Sequence, residues 1–337
     1  MEPFDSLNVR TPLTRLRRLA TRVLDAYAVG QAELVPLAHA ENTTFRVEAR
    51  NGERFVLRIH RVSGSPLHPP RSLAEVTSEM LWLAAIRRDT GLSVPESVPA
   101  NDGSMVTLAY DDDLPEPRLS VLFRWQPGRF LDAGLGPVHL ERVGRFMAEL
   151  HDQASRFIPP EGFERWRIGD LSEDVCAFVD GQVREHGGPH AVAIVREVVR
   201  RVKEARRNLG TGPDVYGLIH ADLHQENYLF AGGQVCAIDF DDCGWGHHLH
   251  DLSVALSEIR DRGEYDSLRA ALLHGYRAVR SLPAEHERYL KTFNALRTLQ
   301  LTLWFVERRE DPSFKGWQQH VRDGFEELEA FVRGSSS

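Results

Sequence analysis

HADLHQENYLF, residues 220–230, sets two histidines, two acids and two amides in its first eight positions, between the flanks GLI and YLF that read as buried. Just beyond it, YLF (228–230) and VCAI (235–238) are short apolar runs joined by the turn AGGQ, which predicts a small hairpin. The sequence IDFDDCG closes that hairpin, so the polar loop and an acidic turn stand at the same end of it. Three side chains mark the arrangement. Asp222 and Asn227 are five residues apart, and Asp239 follows Asn227 by twelve.

Working outward, the period of the apolar residues changes twice. Leu13, Leu16, Leu19, Ala20 and Val23 recur at helical spacing and predict an amphipathic helix over 12–29, stopping near Gly30. Residues 44–60 then read as a hairpin: Phe45 and Val47 alternate with polar neighbours, Asn51-Gly52 supplies the turn, and FVLRIH follows as a strand. A helix is expected over 72–90, and strands in MVTLAY and LSVLFRW. After QPGR (126–129) strands almost vanish. Leu140, Val143, Met147 and Leu150 mark a helix over 139–152, and the valines from Val192 to Val202 mark another over 190–208. Three or four helices are expected between His250 and Arg333, including a long one over 286–308. The expected organisation is therefore α+β: residues 1–125 as a small N-terminal unit with an antiparallel sheet, one main helix and a leading helix, residues 126–333 as a larger, mostly helical unit, and 334–337 as a flexible tail.

Composition narrows the function classes. A length of 337 residues with 42% hydrophobic and 27% charged residues fits two globular units, and no apolar run approaches the roughly 20 residues that a membrane helix needs. A formal charge of −8 gives no electrostatic reason to expect a nucleic-acid partner. The basic run RLRR (15–18) reads as a solvated helix face, and DDDLPEP (111–117) as a solvated loop. Cys176, Cys236 and Cys243 form no CxxC pair, which argues against a disulfide framework and fits a reducing, cytoplasmic compartment. No membrane partner is expected, and the sequence leaves the oligomeric state open.

Chemistry enters through the loop. A turn between a helix and a short hairpin can present Asp222 to an incoming hydroxyl, while Asn227 and Asp239 offer oxygen ligands to a hard cation; phosphoryl transfer uses such a set. The kinase pattern H-R-D-L-x-x-x-N followed by D-F-G has counterparts here in HADLHQEN and DFDDCG. With DLSVAL downstream, these motifs resemble those of the aminoglycoside phosphotransferase and homoserine kinase type II superfamily. This is the small-molecule branch of the protein-kinase-like fold, and the resemblance is closest to the subgroup that also contains bacterial stress-response Ser/Thr kinases. It covers most of the chain. It implies a bilobal protein-kinase-like fold and an ATP- or GTP-dependent phosphotransferase that acts on a hydroxyl of a small metabolite. It further implies Asp222 as catalytic base, Asn227 and Asp239 as Mg²⁺ ligands, and His220 as a structural member of the loop.

The N-terminal unit adds nucleotide-contacting candidates. Alternation in FVLRIH puts Val56 and Arg58 on one strand face and Phe55, Leu57 and Ile59 on the other. In the family's arrangement Arg58 stands for the phosphate-binding lysine and Val56 for the residue over the adenine, with Glu79, or secondarily Glu75, pairing with Arg58. Arg in place of Lys presents a planar fork where Lys presents a point charge. Asn42, Thr43 and Thr44 would cover the phosphates in place of a glycine-rich run. The backbone of Phe123, Arg124 and Trp125 would meet the adenine edge.

Acceptor candidates are Trp245, His247, Arg297 and Trp304, with His248 and Glu307 near them in sequence; a Trp and His stripe at such spacing reads equally as core packing. Other functions fit parts of the same sequence. A Ser/Thr protein kinase on the same scaffold is the main alternative, and a catalytically weak nucleotide-binding regulator is suggested by Arg58 and the glycine-poor loop. A metal-dependent hydrolase would use His220, Asp222 and His224 with His247, His248, His250 and Asp251.

Overall fold

Phe45 and Val47 are buried between half-buried Thr44, Arg46 and Glu48, the alternation of a strand with one face in a core. That strand is β2 (Thr43–Ala49), and through the Asn51-Gly52 turn it meets β3 (Arg54–Ile59) in antiparallel register, Phe45 opposite Leu57. The expected hairpin is therefore present. An additional strand, β1 (Ala32–His39), lies along the outer edge of β2. The sequence reading does not anticipate it. Pro36 lies where the register slips between Pro36 and Ala38, as an edge strand tolerates because one row of its N–H groups faces outward.

The computed structural model describes residues 10–39, 41–112, 114, 116–132, 134–169, 171–311 and 314–334. Two compact units partition the chain: residues 1–127 with 159–165, and residues 128–158 with 166–337. In the first, β4 (Thr107–Ala109) and β5 (Arg118–Arg124) complete a five-stranded antiparallel sheet of order β1-β2-β3-β5-β4. Helix α1 (Arg10–Leu24) lays Leu16, Leu19, Ala20, Val23 and Leu24 against Phe45, Val47, Phe55, Leu57 and Leu122, forming the core of one sheet face. It ends earlier than expected because the backbone tightens into i→i−3 turns, with Tyr27 N–H donating to Leu24 O.

One surface reading needs correction: RLRR does expose Arg17 and Arg18, but DDDLPEP is not solvated throughout. Arg18 of the basic run donates from Nε and Nη2 to both oxygens of Asp111, and Arg22 lies 3.3 Å from the same carboxylate. Asp111 is buried at 6% exposure, so the first acid of DDDLPEP ties α1 to the sheet; Asp113 and Pro115 lie outside the described residues. Helix α2 (Leu73–Asp89) starts in a capping box: Ser72 Oγ accepts from Glu75 N–H, and Glu75 Oε2 accepts from Ser72 N–H. Residues 159–165 join this unit through Glu164 N–H to Ser78 Oγ and Arg165 Nη1 to Glu75 O.

The second unit is largely helical. Helix α3 (Pro137–Arg156) precedes α4 (Glu173–Leu209), which begins well before the expected position and bends at Gly188, whose φ of 74° favours glycine, followed by Pro189. Two two-stranded pieces interrupt the helices: β6 (Tyr216–Ile219) with β9 (Gly244–His247), and β7 (Tyr228–Ala231) with β8 (Gln234–Ala237), the expected hairpin. Then follow α5 (His248–Ser257), α6 (Tyr265–Arg277), the single turn α7 (Ala284–Glu287), α8 (Leu290–Glu307) and α9 (Trp317–Gly334). The expected helix over 286–308 is thus two pieces. Of the expected tail, Gly334 ends α9, and residues 335–337 lie outside the described residues.

Helices α3 and α6 cross on glycines. A side-chain carbon at Gly144 would fall 2.0 Å from Leu272 O, and one at Gly275 would fall 1.9 Å from Glu141 O. Each helix thereby seats its backbone on the other's, which brings Tyr276 of α6 to His151 of α3.

Candidate active site

The loop that follows β6 is shaped by one buried carboxylate. Asp251, fully buried in α5, accepts Ala221 N–H on Oδ1 at 2.7 Å and His220 N–H on Oδ2 at 3.0 Å. Its Oδ2 also takes the Nε2–H of His151 at 2.9 Å, a tautomer set by the acceptor-only carboxylate, which leaves His151 Nδ1 to accept from the Tyr276 hydroxyl. These bonds hold Ala221 at φ 71°, a left-handed conformation costly to a residue with a side chain. Burial raises the Asp251 pKa, while the surrounding donors and His220 oppose the shift. His220 is itself buried, its pKa lowered by burial, and its Nε2 donates to Ile238 O at 3.0 Å.

The bend at Ala221 presents Asp222, whose two oxygens have separate partners. Oδ2 accepts Asn227 Nδ2 at 3.0 Å and has His224 Nε2 at 3.4 Å; Oδ1 accepts Arg297 Nη2 at 2.6 Å. Burial would raise the Asp222 pKa, but Arg297 and His224 hold the carboxyl well below the usual carboxylate range. His224 is drawn up by Asp222 against the effect of its own burial. A single 3-10 turn, Gln225–Asn227, follows, with Gln225 joined to Arg262 and Asp132.

Asn227 is oriented by the same contacts. Its Nδ2 is committed to Asp222 O and Oδ2, which turns its Oδ1 away from Asp222 as an oxygen donor. Its backbone carbonyl accepts Ile238 N–H at 2.9 Å, continuing the β7–β8 ladder. Ile238 is therefore gripped by both His220 and Asn227, and the next residue, Asp239, emerges beside them, exposed and at φ 59°. Two oxygen donors of this kind, an amide and a carboxylate on adjoining turns, fit a hard divalent cation that takes its remaining ligands from phosphates and water.

In the first unit, Arg58 Nη2 donates to Glu79 Oε2 at 2.6 Å, with the side chains 4% and 1% exposed. The Arg58 guanidinium also lies 5.1 Å from the centroid of the Phe123 ring. Glu75, the second candidate, is used in the capping box. Val56 is half-buried opposite Phe123, on the strand face away from Phe55 and Leu57. Asn42 Oδ1 accepts Arg61 N–H at 3.3 Å, and Thr43 Oγ1 lies 2.7 Å from His39 Nδ1, so both side chains have partners inside the unit. The N–H groups of Arg124 and Trp125 donate to Glu96 O and Arg54 O, which takes these two donors out of any adenine contact.

Of the acceptor candidates, Arg297 alone is in contact with Asp222 among the bonds described. His247 turns its Nε2 to Gly210 O and packs edge-on against Tyr216; burial lowers its pKa to about 4. Trp245 exchanges backbone bonds with Trp166 and Ile168, and Trp304 packs on Phe305, Phe314 and Arg308. Another histidine of the hydrolase reading, His248, stacks on His151 and points Nδ1 to Asp214 O. Among the described residues no group of three His, Cys, Asp or Glu is arranged to hold a metal ion, so that reading loses its ligand cluster. Nor is any described helix long and apolar enough to cross a membrane.

Comparison with known proteins decides the class. The profile of a phosphotransferase enzyme family matches residues 33–289. The chain belongs to this phosphotransferase family. Amicoumacin kinase of Bacillus subtilis (strain 168) is 25% identical over 236 residues, a match that covers 69% of this chain and 65% of that protein. The chain thus spans slightly less than two thirds of that relative. A solved microcompartment-associated aminopropanol kinase is 30% identical, covers 94% of this chain and 98% of its own, and superposes with a TM-score of 0.80. The amicoumacin kinase hAmiN, solved with AMP-PNP, Ca²⁺ and Ami, has a TM-score of 0.78 at 20% identity, covers 96% of each chain and supports the fold alone. The protein-kinase-like α+β fold expected from the motifs is the fold of this phosphotransferase family member.

Proposed function

We propose that this chain is a kinase that moves the terminal phosphoryl group of ATP to the hydroxyl of a small amino alcohol. The observation that carries the reading is the convergence of Asp222, Asn227 and the Asp239 turn: an amide bonded to the carboxylate at 3.0 Å, and a backbone bond donated to Asn227 O by the N–H of Ile238, the residue before Asp239. The amino alcohol class comes from the 30% identical aminopropanol kinase, which aligns over nearly the full length of both chains.

In this reading Asp222 orients the acceptor hydroxyl toward phosphorus and takes up its proton as the new bond forms. Its low affinity for protons suits orientation more than early abstraction, and a loose transition state asks little of a base. Asn227 Oδ1 and Asp239 would hold Mg²⁺, which when bound neutralises charge on the phosphates. Arg58, kept in place by Glu79, would contact phosphate oxygens. Arginine there is consistent with the chain's general usage: of 41 Lys and Arg, only Lys203, Lys291 and Lys315 are lysines.

ADP formation from ATP–Mg²⁺, measured with a panel of amino alcohols led by aminopropanol, tests the proposal, with phosphorylated product identified by mass. Turnover is expected with at least one of them and is expected to disappear in Asp222→Asn. Equal rates in parent and Asp222→Asn would remove the assignment.

A further inference from the structure

From His220 to Ile259 the sequence contains no Lys and no Arg, so the loop, the hairpin and the Asp239 turn bring no permanent positive charge to the reacting groups, only the titratable His224 at 3.4 Å from Asp222. The cation comes from elsewhere in the second unit. Arg297, 75 residues from Asp222 and carried on α8, reaches the carboxylate at 2.6 Å with a side chain 12% exposed. It is a half-buried position on a helix whose other face, Phe293, Leu296, Leu299 and Leu303, is fixed in the core.

A guanidinium has five N–H donors in a planar fork. In Arg297 the Nη2 group donates to Asp222, and Nε is buried with no hydrogen-bond partner among the described residues. Asp222 therefore does not exhaust it. The two Asp222 oxygens are also not equivalent, since Oδ2 faces Asn227 and His224 on the loop and Oδ1 faces Arg297 on the helix. Arg297 is thus the permanently charged neighbour of the carboxylate that would hold the acceptor hydroxyl beside the phosphorus it attacks.

We infer that Arg297 is a catalytic residue that stabilises the charge developing on the transferred phosphoryl group, a part that GTPases assign to an arginine supplied from outside the phosphate-binding loop. The inference rests on the phosphotransferase reading above. In the step, the acceptor oxygen forms a bond to the terminal phosphorus of ATP, and the bond from that phosphorus to the β-phosphate oxygen breaks. The acceptor proton passes to Asp222 and then to solvent, and ADP leaves with the electron pair of the broken bond. Arg297 gives and takes no proton; it donates hydrogen bonds to the equatorial oxygens while they carry the spread charge.

The test compares the parent with Arg297→Gln, Arg297→Lys and Arg297→Ala, using ATP–Mg²⁺ with aminopropanol as acceptor and, separately, with water alone. Thermal unfolding with and without ADP–Mg²⁺ checks that each variant is folded and still binds nucleotide. Arg297→Gln is expected to lower kcat about 10²- to 10³-fold, the loss seen when one transition-state donor is removed. The KM for ATP should change by less than about threefold, as for an interaction confined to the transition state. Arg297→Lys should recover part of kcat, and guanidinium chloride, far below its unfolding range, should raise kcat of Arg297→Ala without affecting the parent. A higher KM for aminopropanol with unchanged kcat would make Arg297 an acceptor-binding residue only and overturn the inference. So would unchanged kcat in Arg297→Gln, or folded Arg297→Ala that guanidinium does not rescue. If the parent itself shows no Asp222-dependent turnover with either acceptor, the phosphotransferase reading fails and takes this inference with it.

Discussion

Replacing Asp251 by Asn keeps the shape of a wholly buried side chain and removes what it does. The amide oxygen can still accept Ala221 N–H, but Nδ2 then stands where Oδ2 accepted His220 N–H and His151 Nε2–H. Two buried donors lose their acceptor and meet another donor. Leaving a buried donor unsatisfied costs about 1–3 kcal/mol, so the substitution should cost about 2–6 kcal/mol in all. That is a large share of the roughly 5–15 kcal/mol that holds an ordinary domain folded. With a urea dependence of about 2–3 kcal/mol/M, the unfolding midpoint should fall by about 0.7–3 M. Turnover should fall further than stability does, because Asp251 also holds Ala221 in the bend that presents Asp222. Urea unfolding followed by tryptophan fluorescence, with kcat measured well below the transition, gives both quantities. A midpoint within about 0.3 M of the parent would correspond to less than about 1 kcal/mol and would refute the role assigned to these bonds.

Three further outcomes are expected. Ala221→Val places a β-branched residue at φ 71° and should destabilise the chain by more than about 1 kcal/mol, with a loss of kcat; an unchanged melting temperature would count against the strained bend. Glu79→Gln removes the carboxylate from a buried ion pair and should cost about 3–5 kcal/mol, together with most of the thermal shift produced by ATP–Mg²⁺. If that shift survives intact, Arg58 does not need Glu79 to meet nucleotide. Burial lowers His247 to about 4 and His250 to about 3, both below the ordinary histidine value that applies to the unfolded chain. Between those limits the unfolded state binds protons that the native state refuses, so stability should fall as pH drops below about 6.5 and keep falling to about pH 4 for His247 and about pH 3 for His250. Urea midpoints that stay flat from pH 7 to about pH 4 would show that these histidines are not held neutral.

What the sequence disclosed was local in origin. The β2–β3 hairpin follows from Asn51-Gly52 between alternating residues, and the loop from His220 to Asp239 is a nearly continuous stretch whose spacing carries its geometry. Glu79 was legible because one strand and the next helix, each with a clear period, bring it to Arg58. Contacts made across long separations were not legible. Arg18 and Asp111 are 93 residues apart, and neither RLRR nor DDDLPEP contains anything that names the other. Asp251 looked like one more metal-ligand candidate because its actual partners are backbone N–H groups, which leave no mark on sequence. Its signal lay in DLSVAL, an acid opening an otherwise apolar helix with no exposed face for it. The strand β1 was missed because AELVPLAH contains a proline and is largely exposed, so it lacks a buried alternation. The start of α4 was missed because Gly187, Gly188 and Pro189 break the helical pattern at the bend.

The glycine crossing of α3 and α6 has a consequence for how such a chain can change. With Gly144 on Leu272 O and Gly275 on Glu141 O, any larger residue at either point would have to push two backbones apart, and with them the Tyr276–His151–Asp251 relay behind the loop. This seam is closed to drift. If the proposed function holds, new acceptor preferences would arise on the half-buried side of α8, where Arg297 meets Asp222, and leave the glycine seam untouched.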